Sequence, residues 1–210
     1  MKNDEYYKII NHYEQCYIKN GDNHLGVDWP NECDAEKRYG VMLDVIRYDS
    51  TPDIEKTNIL DFGCGLGHLY NYIQNHGINV RYTGLDVSEI FVKKCSEKYP
   101  EVNFICSDIL KADLKGKYGY IIMNGVFTEK RELSYENMKI YFMNVITKVF
   151  DHCERGIAFN VMSKDVDWER EDLFHVPLNE LSAFLTKNIS RNFVIRNDYG
   201  LYEYTTYVYR

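Results

Sequence analysis

Beyond Pro52 the chain repeats one pattern: a short apolar run, then a stretch with helical spacing of its apolar residues. The runs are 58–62, 80–86, 102–108, 118–124 and 156–162, and helical patterns fall at 67–76, 88–99 and 136–152. Strands joined through helices cross over the sheet and lie parallel, with helices on both faces. The expected core is therefore α/β and Rossmann-like. The last fifty residues differ. A helical pattern at 177–189 precedes two alternating runs, 191–197 and 201–210, joined by a Tyr-Gly turn. So short a link makes an antiparallel hairpin.

Upstream, Asn3 to Lys19 carries Tyr6, Ile9, Ile10, Tyr13 and Tyr17 at spacings near three and four, which predicts a helix. A loop with Gly21, Gly26 and Pro30 follows, then a second helix expected to be capped by Asp34 and to end before Thr51-Pro52. A chain of 210 residues with no internal repeat is expected to be one domain over 1–210, with a helical cap at 1–50 on a core at 51–210.

Charge and composition narrow the function. The 25 basic residues against 32 acidic ones leave a net charge of −7 with no basic cluster, so nucleic acid is not an expected partner. No window has the uncharged length of a membrane span, and the first fifteen residues show no signal-peptide run, so a cytoplasmic location is expected. The six cysteines form neither a CxxC pair nor a zinc-type cluster, so neither disulfides nor a metal are expected. Tyrosine is abundant: four of 19 lie in the first twenty residues and five in the last twelve.

The segment Ile59 to Tyr70, ILDFGCGLGHLY, sets Gly63, Gly65 and Gly67 between the first core strand and the next helix. Glycines there let backbone amides approach a ligand at a helix N-terminus. A dinucleotide fingerprint would need GxGxxG, but the residue three after Gly65 is His68, and the pattern is Asp61-x-Gly-x-Gly-x-Gly. Asp86 ends the second strand nineteen residues after Gly67, where a carboxylate can take both hydroxyls of a ribose, and Asp108 ends the third. All fall at the strand ends where open α/β sheets bind ligands.

These features resemble motif I and the following acids of the class I S-adenosylmethionine (SAM) methyltransferases. The resemblance spans nearly the whole chain and implies a seven-stranded, mostly parallel sheet whose last strand is antiparallel. It implies SAM as cofactor, held by Asp61, Gly63, Gly65, Gly67, Asp86, Val87, Asp108, Ile109 and Asn124, with Arg38 for its carboxylate. In that family the acid at Asp108, or the amide of Ile109, reads adenine. Segments 28–46, 123–130, 158–168 and 197–210 resemble small methyltransferases of bacterial surface-polysaccharide clusters, including those that form the capsular O-methyl phosphoramidate. The acceptor so implied is a small molecule methylated on oxygen.

Methyl transfer from a sulfonium needs orientation and a dry site rather than a covalent catalyst. The residues Met123 to Phe127, where methyltransferases of bases and amide nitrogens carry an Asp/Asn-Pro-Pro-aromatic run, hold no proline. Asn124 there can equally be a plain strand-end cap. His12, His24, His68 and His175 are candidate bases, with His175, His12 and Tyr17 the catalytic candidates and Tyr13, Trp29 and Lys164 the acceptor-binding ones. An anionic acceptor would need no base. Asp165 and Asp167 lack a carboxylate partner at Asn124, so no metal is expected. Two other readings stand beside this one: a SAM-binding partner or regulatory protein without activity, and an NAD-dependent oxidoreductase.

Overall fold

The structure, a computed structural model, describes residues 5–50 and 57–210. Its elements run α1 (Tyr7–Asn20), a short 3-10 turn (His24–Val27), α2 (Glu32–Arg47), β1 (Asn58–Phe62), α3 (His68–Asn75), β2 (Arg81–Asp86), α4 (Glu89–Lys98) and β3 (Asn103–Cys106). They continue with β4 (Tyr118–Met123), α5 (Tyr135–Asp151), β5 (Cys153–Ser163), β6 (His175–Val176), α6 (Leu178–Asn188), β7 (Phe193–Arg196) and β8 (Glu203–Tyr209). The sheet order is β3-β2-β1-β4-β5-β8-β7, with β6 paired to the end of β5.

Strands β1 to β5 are mutually parallel, and β8 is antiparallel to both β5 and β7, as the pattern predicts. The period of two along each strand splits the core. Leu60, Ile121, Met123, Ile157 and Phe159 face one cluster with α5 and α6, while Ile59, Tyr120, Ile122 and Ala158 face the other with α2 and α3. Helix starts are local: the Ser88 and Ser134 side chains accept from the amides of Phe91 and Asn137.

Three boundaries differ from the sequence expectation. The cap of α2 is Asn31, whose side chain accepts from the Asp34 amide, so the helix opens two residues before Asp34. The two-residue strand β6 arises because β5 runs to Ser163, past its apolar stretch. The loop at 20–32 contains a 3-10 turn capped by Asn23. The expected boundary at Thr51-Pro52 and the first residues of the amino-terminal helix lie outside the described residues.

The tyrosine-rich carboxyl terminus packs as an aromatic strand should. Tyr204 and Tyr207 are buried, and the hydroxyls of Tyr207 and Tyr209 reach the carbonyls of Val41 and Val45, fastening the hairpin to α2. Among the described residues, no helix is long and apolar enough to cross a membrane.

Candidate active site

The carboxyl ends of β1 to β4 meet along one edge of the sheet, and α1 lies across that edge. Between them is a cleft lined by the glycine loop and by Asp61, Asp86, Val87, Asp108, Ile109 and Asn124. The other wall is α1, through Tyr6, Ile9, Ile10 and Tyr13, with Val27 and Trp29 from the loop that follows it.

The glycine loop is built for close approach. Gly63, Gly65 and Gly67 have φ of 77°, 51° and 73°, in the left-handed region that glycine enters at no steric cost. At Gly63 the need is double, since a Cβ there would sit 2.7 Å from Val126 Cγ2. The loop is held by the amides of Gly63 and Cys64, which donate to the Leu85 carbonyl at 2.7 and 3.0 Å. Asp86 holds it as well: its Oδ2 accepts from the Gly65 amide and its Oδ1 from the Ser88 amide, both at 2.9 Å. A carboxylate has about four lone-pair directions, so Asp86 keeps acceptor capacity for a ligand. Burial pushes the Asp86 carboxyl up, and those amide bonds pull it back.

Asp61 is buried and is met by the Tyr82 hydroxyl at 2.6 Å. Burial pushes its pKa to about 7 against the pull of that bond, with the charge of Asp86 adding to the rise. Asn124 Oδ1 lies in the same cleft, out of contact with solvent, and accepts no hydrogen bond. An acceptor left unpaired in this way costs free energy unless a bound donor meets it. A glycine loop of free approach, two buried carboxylates and this acceptor fit the ribose and ammonium groups of SAM.

Helix α1 is fastened to the same acids. The hydroxyls of Tyr6 and Tyr7 donate to Asp108 Oδ2 at 2.5 and 3.0 Å, and Ser88 Oγ donates to Glu14 at 2.5 Å. Tyr13 is half-buried against the end of β4, where its hydroxyl donates to the Gly125 carbonyl at 3.3 Å. Gly125 has a φ of 77°, and a Cβ on it would meet Trp29 at 2.7 Å, so the indole closes directly over that turn.

Several sequence candidates lie elsewhere. Arg38 does not reach the cleft: its Nε donates to both oxygens of buried Glu203, at 3.0 and 2.9 Å, and its guanidinium covers Trp29 at 4.2 Å. His175 is buried, with Nδ1 2.6 Å from the Ser163 carbonyl oxygen and Nε2 accepting from the Arg170 amide, so both nitrogens serve the β5–β6 junction. Lys164 pairs with Glu169 at the surface, and Tyr17 packs edge-on against Phe91 instead of lining the cleft. His12 lies on the flank of α1, 2.7 Å from Asp28. His68 lines the cleft but is held by Asp22 at 2.8 Å, and burial lowers its pKa.

Sequence reasoning did not single out the Asn160–Glu203 pair. Asn160 accepts from the Gly125 amide at 2.7 Å and donates to Glu203 at 2.9 Å, so a buried polar chain runs from the β4 turn through Glu203 to Arg38 and Trp29. The available signal was Asn160 within the apolar run 156–162 and an acidic residue, Glu203, opening the last strand. The roles of Tyr6 and Tyr7 were also missed, because Asp108 is about a hundred residues away in the chain.

A family profile described as a methyltransferase domain matches residues 59–149. A protein of Mycobacterium tuberculosis (strain ATCC 25618 / H37Rv), provisionally assigned as a methyltransferase, is 26% identical over 72% of this chain and 92% of its own length. The malonyl-[acyl-carrier protein] O-methyltransferase of Acetivibrio thermocellus is 31% identical over 44% of this chain, which spans only 32% of that relative. In fold, the chain is similar to magnesium protoporphyrin IX methyltransferase from Synechocystis PCC 6803 with bound SAM, at a TM-score of 0.60 and 16% identity, covering 100% of this chain and 94% of that one.

Proposed function

We propose that the chain is a class I SAM-dependent methyltransferase, with S-adenosyl-L-methionine as its cofactor, and that it methylates an oxygen of a small molecule held beneath α1 and Trp29. The observation that carries this reading is Asn124 Oδ1, a buried acceptor without a partner at the end of β4, beside the turn that Tyr13 and Trp29 close. SAM supplies a sulfonium methyl that a nucleophile displaces in line, the bonding pair leaving with the sulfur. Gly63 to Gly67 let the backbone approach the cofactor, Asp86 and Asp108 face its nucleoside part, and Asp61 and Asn124 face its cationic end. Val87 and Ile109 flank the adenine.

The acceptor wall is Tyr13, Trp29 and Val126, and its apolar surface excludes water from the reacting atoms. Among the described residues, the one histidine lining the cleft is His68, and Asp22 holds it. Such a site suits an acceptor that is already anionic. The finer reading is an intermediate of surface-polysaccharide assembly, with a phosphoramidate as its specific form. The resemblance of segments 28–46, 123–130, 158–168 and 197–210 supports it, and the O-methyltransferase relative supports oxygen as the target. On this reading residues 1–50 are a cap on one domain.

The test is calorimetric titration with SAM, followed by measurement of S-adenosylhomocysteine with sugars, nucleotide-linked sugars and phosphoramidates as acceptors. Turnover with an oxygen acceptor is the expected result. Tight SAM binding with no turnover across the panel would instead make the chain a SAM-binding partner protein, and NAD binding without SAM binding would overturn both. Asp86→Ala should weaken SAM binding roughly tenfold or more, by loss of charge-assisted hydrogen bonds. An unchanged affinity removes Asp86 from the cofactor site.

A further inference from the structure

Outside the cleft, three side chains of metal-ligating chemistry converge between α1 and the loop that follows it. His12 and Cys16 stand four residues apart on α1, the spacing that sets two side chains on one helix face. Asp28 reaches them from the end of the 3-10 turn, where its φ of 58° is one of two positive values among the described non-glycine residues. His12 Nε2 is 2.7 Å from Asp28 Oδ2 and 3.6 Å from Cys16 Sγ, and the three ligand atoms all lie within 4.8 Å of one another.

We infer that His12, Cys16 and Asp28 form a binding site for a divalent transition metal of the zinc class. Zinc-type bonds of about 2.0 Å to nitrogen and 2.3 Å to sulfur in tetrahedral geometry put those two ligand atoms about 3.6 Å apart. The His12–Cys16 separation already has that value. The His12–Asp28 pair would have to open by roughly half an ångström to span the same ion, a movement within reach of an aspartate side chain that is 37% exposed. The donor set of one imidazole, one thiolate and one carboxylate suits zinc, and three protein ligands leave a fourth position for water. With His12 at 22% side-chain exposure, the ion has a path from solvent.

Binding there would clasp α1 to the 24–29 segment, and so hold Tyr13 and Trp29 in their places over the cleft. The inference does not depend on the methyltransferase reading, because it is tested by metal binding alone. The full chain, stripped with a chelator and carrying Cys33→Ser and Cys106→Ser to remove the two exposed thiols, is titrated with Co²⁺ and then with competing Zn²⁺. The expected result is one ion per chain, a thiolate-to-cobalt charge-transfer absorption that disappears in Cys16→Ser, and affinity reduced roughly tenfold or more in His12→Ala and Asp28→Asn. Far-UV circular dichroism and a cooperative urea unfolding transition show that each variant is folded. Absence of saturable binding, or binding and spectrum that survive the three substitutions, overturns the site and leaves His12–Asp28 as a surface hydrogen bond.

Discussion

With Asp61 facing the cationic end of SAM, as proposed, cofactor binding should depend on pH, and Asp61→Asn is the substitution that reads it. Its carboxyl titrates at about 7, because burial removes solvent from the charged form and Tyr82 alone among side chains supports it. With a pKa of 7, about a tenth of the apo protein carries the ionised form at pH 6 and about nine tenths at pH 8. A cationic cofactor is attracted by the ionised form, so binding should release a proton and the affinity for SAM should rise about tenfold between those two values. The stability of the apo protein runs the other way. Between the unfolded carboxyl's value near 3.8 and about 7 the folded state binds more protons than the unfolded one, so stability falls as pH rises through that window and levels off above it.

The α-amino group of SAM titrates in an overlapping range, near the ordinary amine value of about 8, so the readout is a difference. Calorimetric SAM titrations from pH 5.5 to 8.5 on wild type and Asp61→Asn, in buffers of contrasting ionisation enthalpy, separate the two groups. Wild type should show an acidic limb with proton release that the variant lacks, while both share the alkaline limb. A wild-type affinity flat across pH 6 to 7, or an acidic limb equal in the two proteins, would refute the reasoning.

Gly63→Ala should weaken SAM binding more than tenfold, since a side chain at φ 77° costs roughly 1–2 kcal/mol in backbone strain and its Cβ would lie 2.7 Å from Val126 Cγ2; calorimetry checks it. Glu203→Ala should lower stability by about 3–5 kcal/mol by leaving the Arg38 guanidinium without its carboxylate, and Arg38→Ala in the same chain should cost less than the sum, read by urea unfolding. His175→Ala should lower stability by about 1–3 kcal/mol through the lost bonds at the β5–β6 junction while turnover per folded molecule stays within a factor of two, measured as S-adenosylhomocysteine formed; a hundredfold loss of turnover would make His175 catalytic.

What could be read before folding was whatever the chain writes locally. The alternation of apolar runs and helical spacings located β1 to β5 and the terminal hairpin, and the spacing of Gly63, Gly65 and Gly67 after Asp61 located the glycine loop that lines the cleft. Each of these signals lies within about a dozen residues. Arg38 and His175 show the limit of that legibility. A cation near an expected carboxylate and an imidazole after the fifth strand both look functional in sequence, yet each is taken up by a partner that folding supplies: Glu203 for one, the Ser163 carbonyl and the Arg170 amide for the other. Nothing local distinguishes a buried ion pair from a ligand contact, because both ask for the same side chain.

The tyrosines of α1 gain a physical reason from this arrangement. A fourteen-residue helix is marginal alone, so α1 owes its order to docking, and it docks on the ends of β3, β2 and β4 through Asp108, Ser88 and Gly125. Two of those contacts involve an acid, Asp108 on the sheet side and Glu14 on the helix side. A lysine or arginine on Asp108 would satisfy it, but would place a positive charge in a cleft whose ligand carries a sulfonium, and the two cations would repel across a poorly solvated gap. The hydroxyls of Tyr6 and Tyr7 bring no positive charge: they hydrogen-bond the carboxylate, and the buried ring of Tyr6 stacks on Tyr141 at 5.0 Å. A tyrosine-rich cap can therefore close over a cationic cofactor and keep the acids that attract it.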